Sequence, residues 1–156
     1  METQQEMIAR GPWPNGMKNG TDETPVSLGH QDWLGLELQE VTNAMVRIYK
    51  ELFGRGPTKA RSSYVGRDTL IATLENSLTA AEHNMIALGE HQRVRETRTL
   101  FQHASERNFI ETVEQITGRR VRAFVSGTDT HRDVSTEVFY FEPVTSAEGI
   151  KGWLGQ

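Results

Sequence analysis

The chain contains no cysteine. Disulfides, thiolate nucleophiles and cysteine-ligated zinc or iron–sulfur sites are therefore excluded. No apolar stretch approaches the roughly 20 residues that a membrane-crossing helix needs. The N-terminus carries Glu2 and Glu6 with no hydrophobic segment behind them, which is not a secretory signal. The spacing Gly-x-x-x-x-Gly-Lys-Ser/Thr is missing, and with it the phosphate-cradling loop. Gly-x-Ser-x-Gly is missing too, so a hydrolase triad has no support. The histidines (His30, His83, His91, His103, His131) lack the three- or four-residue spacing of a helical metal pair. An excess of positive charge is also lacking. A net charge of −4 and a pI of about 5.7 argue against broad nucleic-acid binding. These absences predict a cytoplasmic protein without membrane insertion, cofactor or metal.

A length of 156 residues suits one domain. Residues 1–31 hold three of the five prolines and few apolar residues, so they read as a flexible tail. Residues 144–156, with three glycines and a lone Trp153, read the same way. The folded unit is then 32–143.

Within that unit, Leu34, Leu38, Val41, Met45, Ile48 and Leu52 alternate spacings of four and three, which predicts an amphipathic helix. Asp32 can cap its start, and Gly54, Gly56 and Pro57 stop it. The runs Lys59–Val65 and Thr69–Leu74 flank Gly66-Arg67-Asp68 and predict a hairpin. Thr79-Ala-Ala-Glu82 is a capping box for a helix reaching Leu88. A longer helix is predicted over 90–117. Leu100 and Ile110 lie nearly opposite its Val94, Phe101, Phe109 and Val113 side, which suggests burial between layers or a homodimer contact. Arg120–Ser126 and Ser135–Glu142 predict two more strands. The order α-β-β-α-α-β-β argues a two-layer α+β fold, with a mostly antiparallel four-stranded sheet packed on helices.

Three sites carry possible chemistry. Around the glycine-flexed turn 54–61, Arg55, Lys59 and Arg61 combine cations with freed backbone amides, a fair anion seat. The plain reading is a helix cap followed by solvated strand cations. Arg119, Arg120 and Arg122 form a second basic run. If its strand lay beside Lys59–Val65, the two would pool into one basic face; the plain reading is cross-strand pairing with Glu75 or Glu137. The loop 127–133 carries Asp129, His131 and Asp133, a set suited to acid–base work or to an ordinary polar turn.

Several segments together resemble the MpsC-like (YbcI-like) family of small bacterial proteins. They are Gly54-Arg-Gly-Pro-Thr-Lys-Ala-Arg61, Leu70-Ile-Ala-Thr-Leu-Glu75 with Leu78-Thr79 and Glu82, and Phe101, Phe109, Val113 and Glu114. Thr117-Gly-Arg-Arg-Val-Arg-Ala-Phe-Val-Ser126 and Glu137-Val-Phe139 through Pro143 complete the set. The resemblance covers about Leu36–Pro143. It implies an association with a sodium-translocating, membrane-potential-generating system and brings no catalytic residues. The expected role is a non-enzymatic binding or regulatory accessory of a membrane sodium or inorganic-carbon transport system. Arg55, Lys59, Arg61, Arg119 and Arg122 would contact an anionic ligand or acidic partner. The rivals are a small enzyme acting on a phosphorylated or carboxylated metabolite, and a structural dimerisation module.

Overall fold

The apolar seam of the first helix anchors the molecule. In the computed structural model, which describes residues 29–145, that helix is α1 (His30–Phe53). The tails expected at 1–31 and 144–156 lie almost wholly outside the described residues. Helix α1 starts two residues before the expected Asp32. Gly29 is its cap residue, and Asp32 Oδ2 accepts the Gly29 amide at 3.1 Å. Val41, Ala44, Met45, Ile48 and Tyr49 are buried. The helix ends at Gly54, whose φ of 74° is the left-handed conformation that favours glycine.

The other elements are β1 (Lys59–Val65), β2 (Thr69–Glu75), α2 (Ala80–Ala87), α3 (His91–Ala104), α4 (Glu106–Thr117), β3 (Val121–Asp129) and β4 (Val134–Phe141). The fold is α+β, with four helices and a four-stranded antiparallel sheet in the order β1-β2-β4-β3. Strands β2 and β4 alternate half-buried and buried residues throughout, the pattern of central strands with one face on a core. Their inward residues are Leu70, Ala72 and Leu74 on β2, and Ser135, Glu137, Phe139 and Phe141 on β4. Together with α1 and with Phe109 and Val113 of α4 they form the core.

The capping box forms as its spacing predicts. The Glu82 amide donates to Thr79 Oγ1 at 3.2 Å, and Glu82 Oε2 accepts the Thr79 amide at 2.7 Å. Replacing Thr79 with alanine is expected to cost about 1 kcal/mol, measured as a lower urea midpoint at unchanged m-value.

The helix expected over 90–117 is two helices bent at Ser105. Neither proline nor glycine marks the break. Ser105 adopts φ −103°, ψ 5°, and its N–H is shared between the Phe101 and Gln102 carbonyls. The bend lets Val94, Arg98 and Gln102 of α3 and Phe109 and Val113 of α4 each face inward. Burial between layers is therefore not what places Leu100: it is 67% exposed.

Candidate functional site

The sheet order decides the fate of the expected basic face. Strands β1 and β3 are not neighbours; they are the two edges, separated by β2 and β4. The register puts Lys59, Glu75, Val134 and Asp129 in one cross-sheet row and Val65, Thr69, Tyr140 and Ala123 in another, six residues away. Lys59 and Arg122 thus occupy diagonally opposite corners. Three strand spacings and six residues put them about 24 Å apart. That is about three screening lengths at physiological salt, so their fields do not pool. The adjacency expected of the two basic stretches is corrected: the chain inserts β4 beside β2 and pushes β3 outward.

Each of the five expected contact residues has an intramolecular partner. Arg55 Nη1 donates to the Leu78 carbonyl. Lys59 and Arg61 both pair with Glu75, at 3.8 and 3.1 Å. Arg119 bonds Asp68 Oδ1 at 2.5 Å and the Arg67 carbonyl at 2.6 Å, with its guanidinium 4.4 Å above the Phe141 ring. Arg122 Nε donates to the Phe141 carbonyl at 3.2 Å and lies over Tyr140. Of the plain alternatives, Glu75 does pair, but with the β1 cations. Arg120 instead approaches Glu114 at 3.9 Å.

The polar loop is built as a turn. Asp129 Oδ1 accepts the His131 and Arg132 amides at 2.8 and 3.0 Å. Those bonds hold the Asp129 carboxyl below its usual pKa. Asp133 is buried at φ 52°, and its carboxylate accepts the Ser77 and Leu78 amides. The His131 ring stacks on His91 at 3.9 Å. These carboxylates are committed to backbone donors and do not converge on the arginines. Among the described residues, no group of three or more His, Asp or Glu side chains is placed to hold a metal ion.

Glu137, on β4, is fully buried beneath α1 and α3. Its Oε1 accepts from Tyr49 Oη at 2.5 Å and from Gln102 Nε2 at 3.1 Å. Glu137 Oε2 makes no hydrogen bond. Neither does Ser126 Oγ, on the residue paired with Glu137 across β3–β4. Burial pushes the Glu137 carboxyl up to about 7, against the opposing pull of its hydrogen bonds. Burial, followed by the Glu137 charge, likewise holds the Tyr49 hydroxyl well above its usual range. A proton on Oε2 could join the two orphaned oxygens. This is an interior polar cluster, closed to ligands.

One open concave surface lies at the start of α1, and a wider one of about 580 Å³ lies beside His103, Arg107 and Ile110. Trp33 is 62% exposed, Leu34 38% and Leu36 53%, although all three sit in the first two turns of an otherwise core-facing helix. Two shallow clefts flank this end. One, of about 250 Å³, is bounded by Trp33, Leu36, Glu40 and Ile116. The other, of about 460 Å³, lies between Leu34, Tyr64, Arg67, Asp68, Arg119 and Val144. Tyr64, which lines the second cleft, donates to Glu37 Oε1 at 2.6 Å. Burial and the neighbouring Glu37 carboxylate keep the Tyr64 hydroxyl well above its ordinary pKa. Of the five expected site residues, only Arg119 lines this surface.

Comparison with known proteins places the chain in a family. Over residues 36–143 the chain matches the family model described as "Na+-translocating membrane potential-generating system (MpsC)". No curated protein and no solved structure matches the chain. Among the described residues, no helix is long and apolar enough to cross a membrane.

Proposed function

The chain belongs to the MpsC family, and from that premise we propose that it is a non-enzymatic accessory of a membrane sodium or inorganic-carbon transport system. It docks a partner protein of that system on the exposed start of α1. The observation that carries this reading is the run Trp33, Leu34 and Leu36, apolar and solvent-facing beside two clefts. Exposed apolar side chains rimmed by polar groups are what a docking surface requires. Arg67 and Arg119 supply the cationic rim, so an acidic flank on the partner would be favoured. Lys59, Arg61 and Arg122 lie outside this surface.

The test is capture from detergent-solubilised membranes of the native host at near-physiological salt, using the full chain as bait. Leu34→Glu combined with Leu36→Glu is expected to lower recovery of a membrane-spanning partner at least tenfold, since a charge placed at an interface centre cannot be desolvated cheaply. Lys59→Ala with Arg61→Ala should leave recovery unchanged. The reverse pattern would restore the basic turn as the contact and remove the α1 surface.

A further inference from the structure

The helices cover one face of the sheet and leave the other bare. The register arranges that outer face in four cross-strand rows. The first is Lys59, Glu75, Val134 and Asp129. Next come Arg61, Thr73, Thr136 and Gly127, then Ser63, Ile71, Val138 and Val125. The last is Val65, Thr69, Tyr140 and Ala123. Val65 and Val125 are each more than half exposed. Most of the charge lies at one end of the face, with Lys59 and Arg61 beside Glu75 on the β1 side and Asp129 on the β3 edge, while at the other end Arg122 of the β3 edge lies over Tyr140. The rest is apolar or hydroxylic.

We propose that a second copy of the chain packs on this face, sheet to sheet, about a two-fold axis parallel to the strands and midway between β2 and β4. That operation exchanges left and right edges while keeping each row level. Lys59 then faces the second copy's Asp129, and each Asp129 faces a Lys59. Ile71 meets Val138, and Val65 meets Ala123. Arg61 lies over Gly127, which leaves room for a guanidinium. The face is self-complementary under one rotation, as an isologous contact must be. Aligned packing of two antiparallel sheets about 10 Å apart is a standard solution for such faces. This inference is independent of the α1 docking surface, which lies on the helical side of the sheet.

Size sets the strength. Four strands and seven residues span roughly 400 Å² in projection, below the roughly 800 Å² per partner of a standard stable interface and in the range of weak, transient contacts. The dimer is therefore reversible and concentration-dependent.

Sedimentation equilibrium on the full chain, from about 1 to about 300 µM, reads this directly. The mass is expected to rise from 17.6 kDa towards twice that value. Val138→Lys, and separately Ile71→Lys, should hold it at one chain across the range, with circular dichroism confirming the fold. Lys59→Glu should weaken association at least fivefold, and adding Asp129→Asn should recover part of that loss while the new amide still caps its turn. A wild-type mass of one chain at the highest concentration would overturn the proposal. So would a dimer that survives both lysine variants, or one abolished by Leu100→Lys or by Leu34→Glu with Leu36→Glu, since those place the contact on α3 or α1.

Discussion

Glu137→Gln is expected to make the protein more stable at alkaline pH, by about 2–3 kcal/mol, and nearly neutral in effect at pH 5. The Glu137 carboxyl is held up to about 7 in the fold, against an ordinary value of 4.5. Its protonated form therefore favours folding. That contribution is complete below the unfolded pKa and is lost as pH rises through 7, about 3 kcal/mol in all by linkage. The variant's side-chain amide would stay neutral throughout. Its NH₂ group could also donate where Ser126 Oγ now lacks a partner, while its carbonyl keeps the bonds from Tyr49 and Gln102. Glu82 works in the opposite sense. Burial alone would raise its pKa, but Arg98 and the Thr79 backbone outweigh it and lower it, so its stabilisation fades as pH falls. Urea unfolding of wild type and Glu137→Gln at pH 5 and pH 9 separates the two effects. If the difference between them is the same at both pH values, Glu137 does not carry a proton in the fold.

The second large effect is expected at Arg98, which is fully buried on α3. Its guanidinium grips Glu82 with two bonds of 2.7 and 2.8 Å and Ser77 with two more, while lying 4.1 Å over the Phe53 ring. One side chain thus ties α3 to the capping box of α2, to the loop after β2 and to the end of α1. Arg98→Met fills the space but leaves the Ser77 carbonyl and the Glu82 carboxylate without their donor. Breaking a buried pair in this way costs about 3–5 kcal/mol. Arg98→Lys keeps the charge and loses the fork, so it should recover only part. Arg107→Ala, which removes a solvent-exposed pair with Glu111, should leave the urea midpoint almost unchanged. An Arg98→Met cost near that of Arg107→Ala would show that the network contributes little.

Local order was legible because its causes are local. The spacing from Leu38 to Leu52 marks α1, and Thr79 with Glu82 marks the start of α2. The strand order was not, because it depends on which partner β2 chooses. A clue was nevertheless present. Lys59 and Arg61 on β1, and Arg122 and Asp129 on β3, are charges of the kind that guard sheet edges. Two strands of edge character each need an outer position, so the basic runs could have been assigned to separate edges. Glu137 was readable in a similar way. It alternates with Ser135, Phe139 and Phe141, and period two puts all four on the core face. The bend at Ser105 left no such mark, since tertiary packing of α3 and α4 produces it. The docking surface was hidden for a related reason: Leu34 continues the α1 seam in spacing, and only the sheet's extent shows that the seam outruns its core.

The docking role of the α1 start is tested most directly by photo-cross-linking in the native host. Leu36→p-benzoylphenylalanine places the reactive group on the apolar end, and Arg107→p-benzoylphenylalanine places it on the outer side of α4. Irradiation should yield a covalent adduct with a membrane-spanning protein from position 36 and none from position 107. Adducts from position 107 alone, with position 36 silent, would contradict the assignment of this surface.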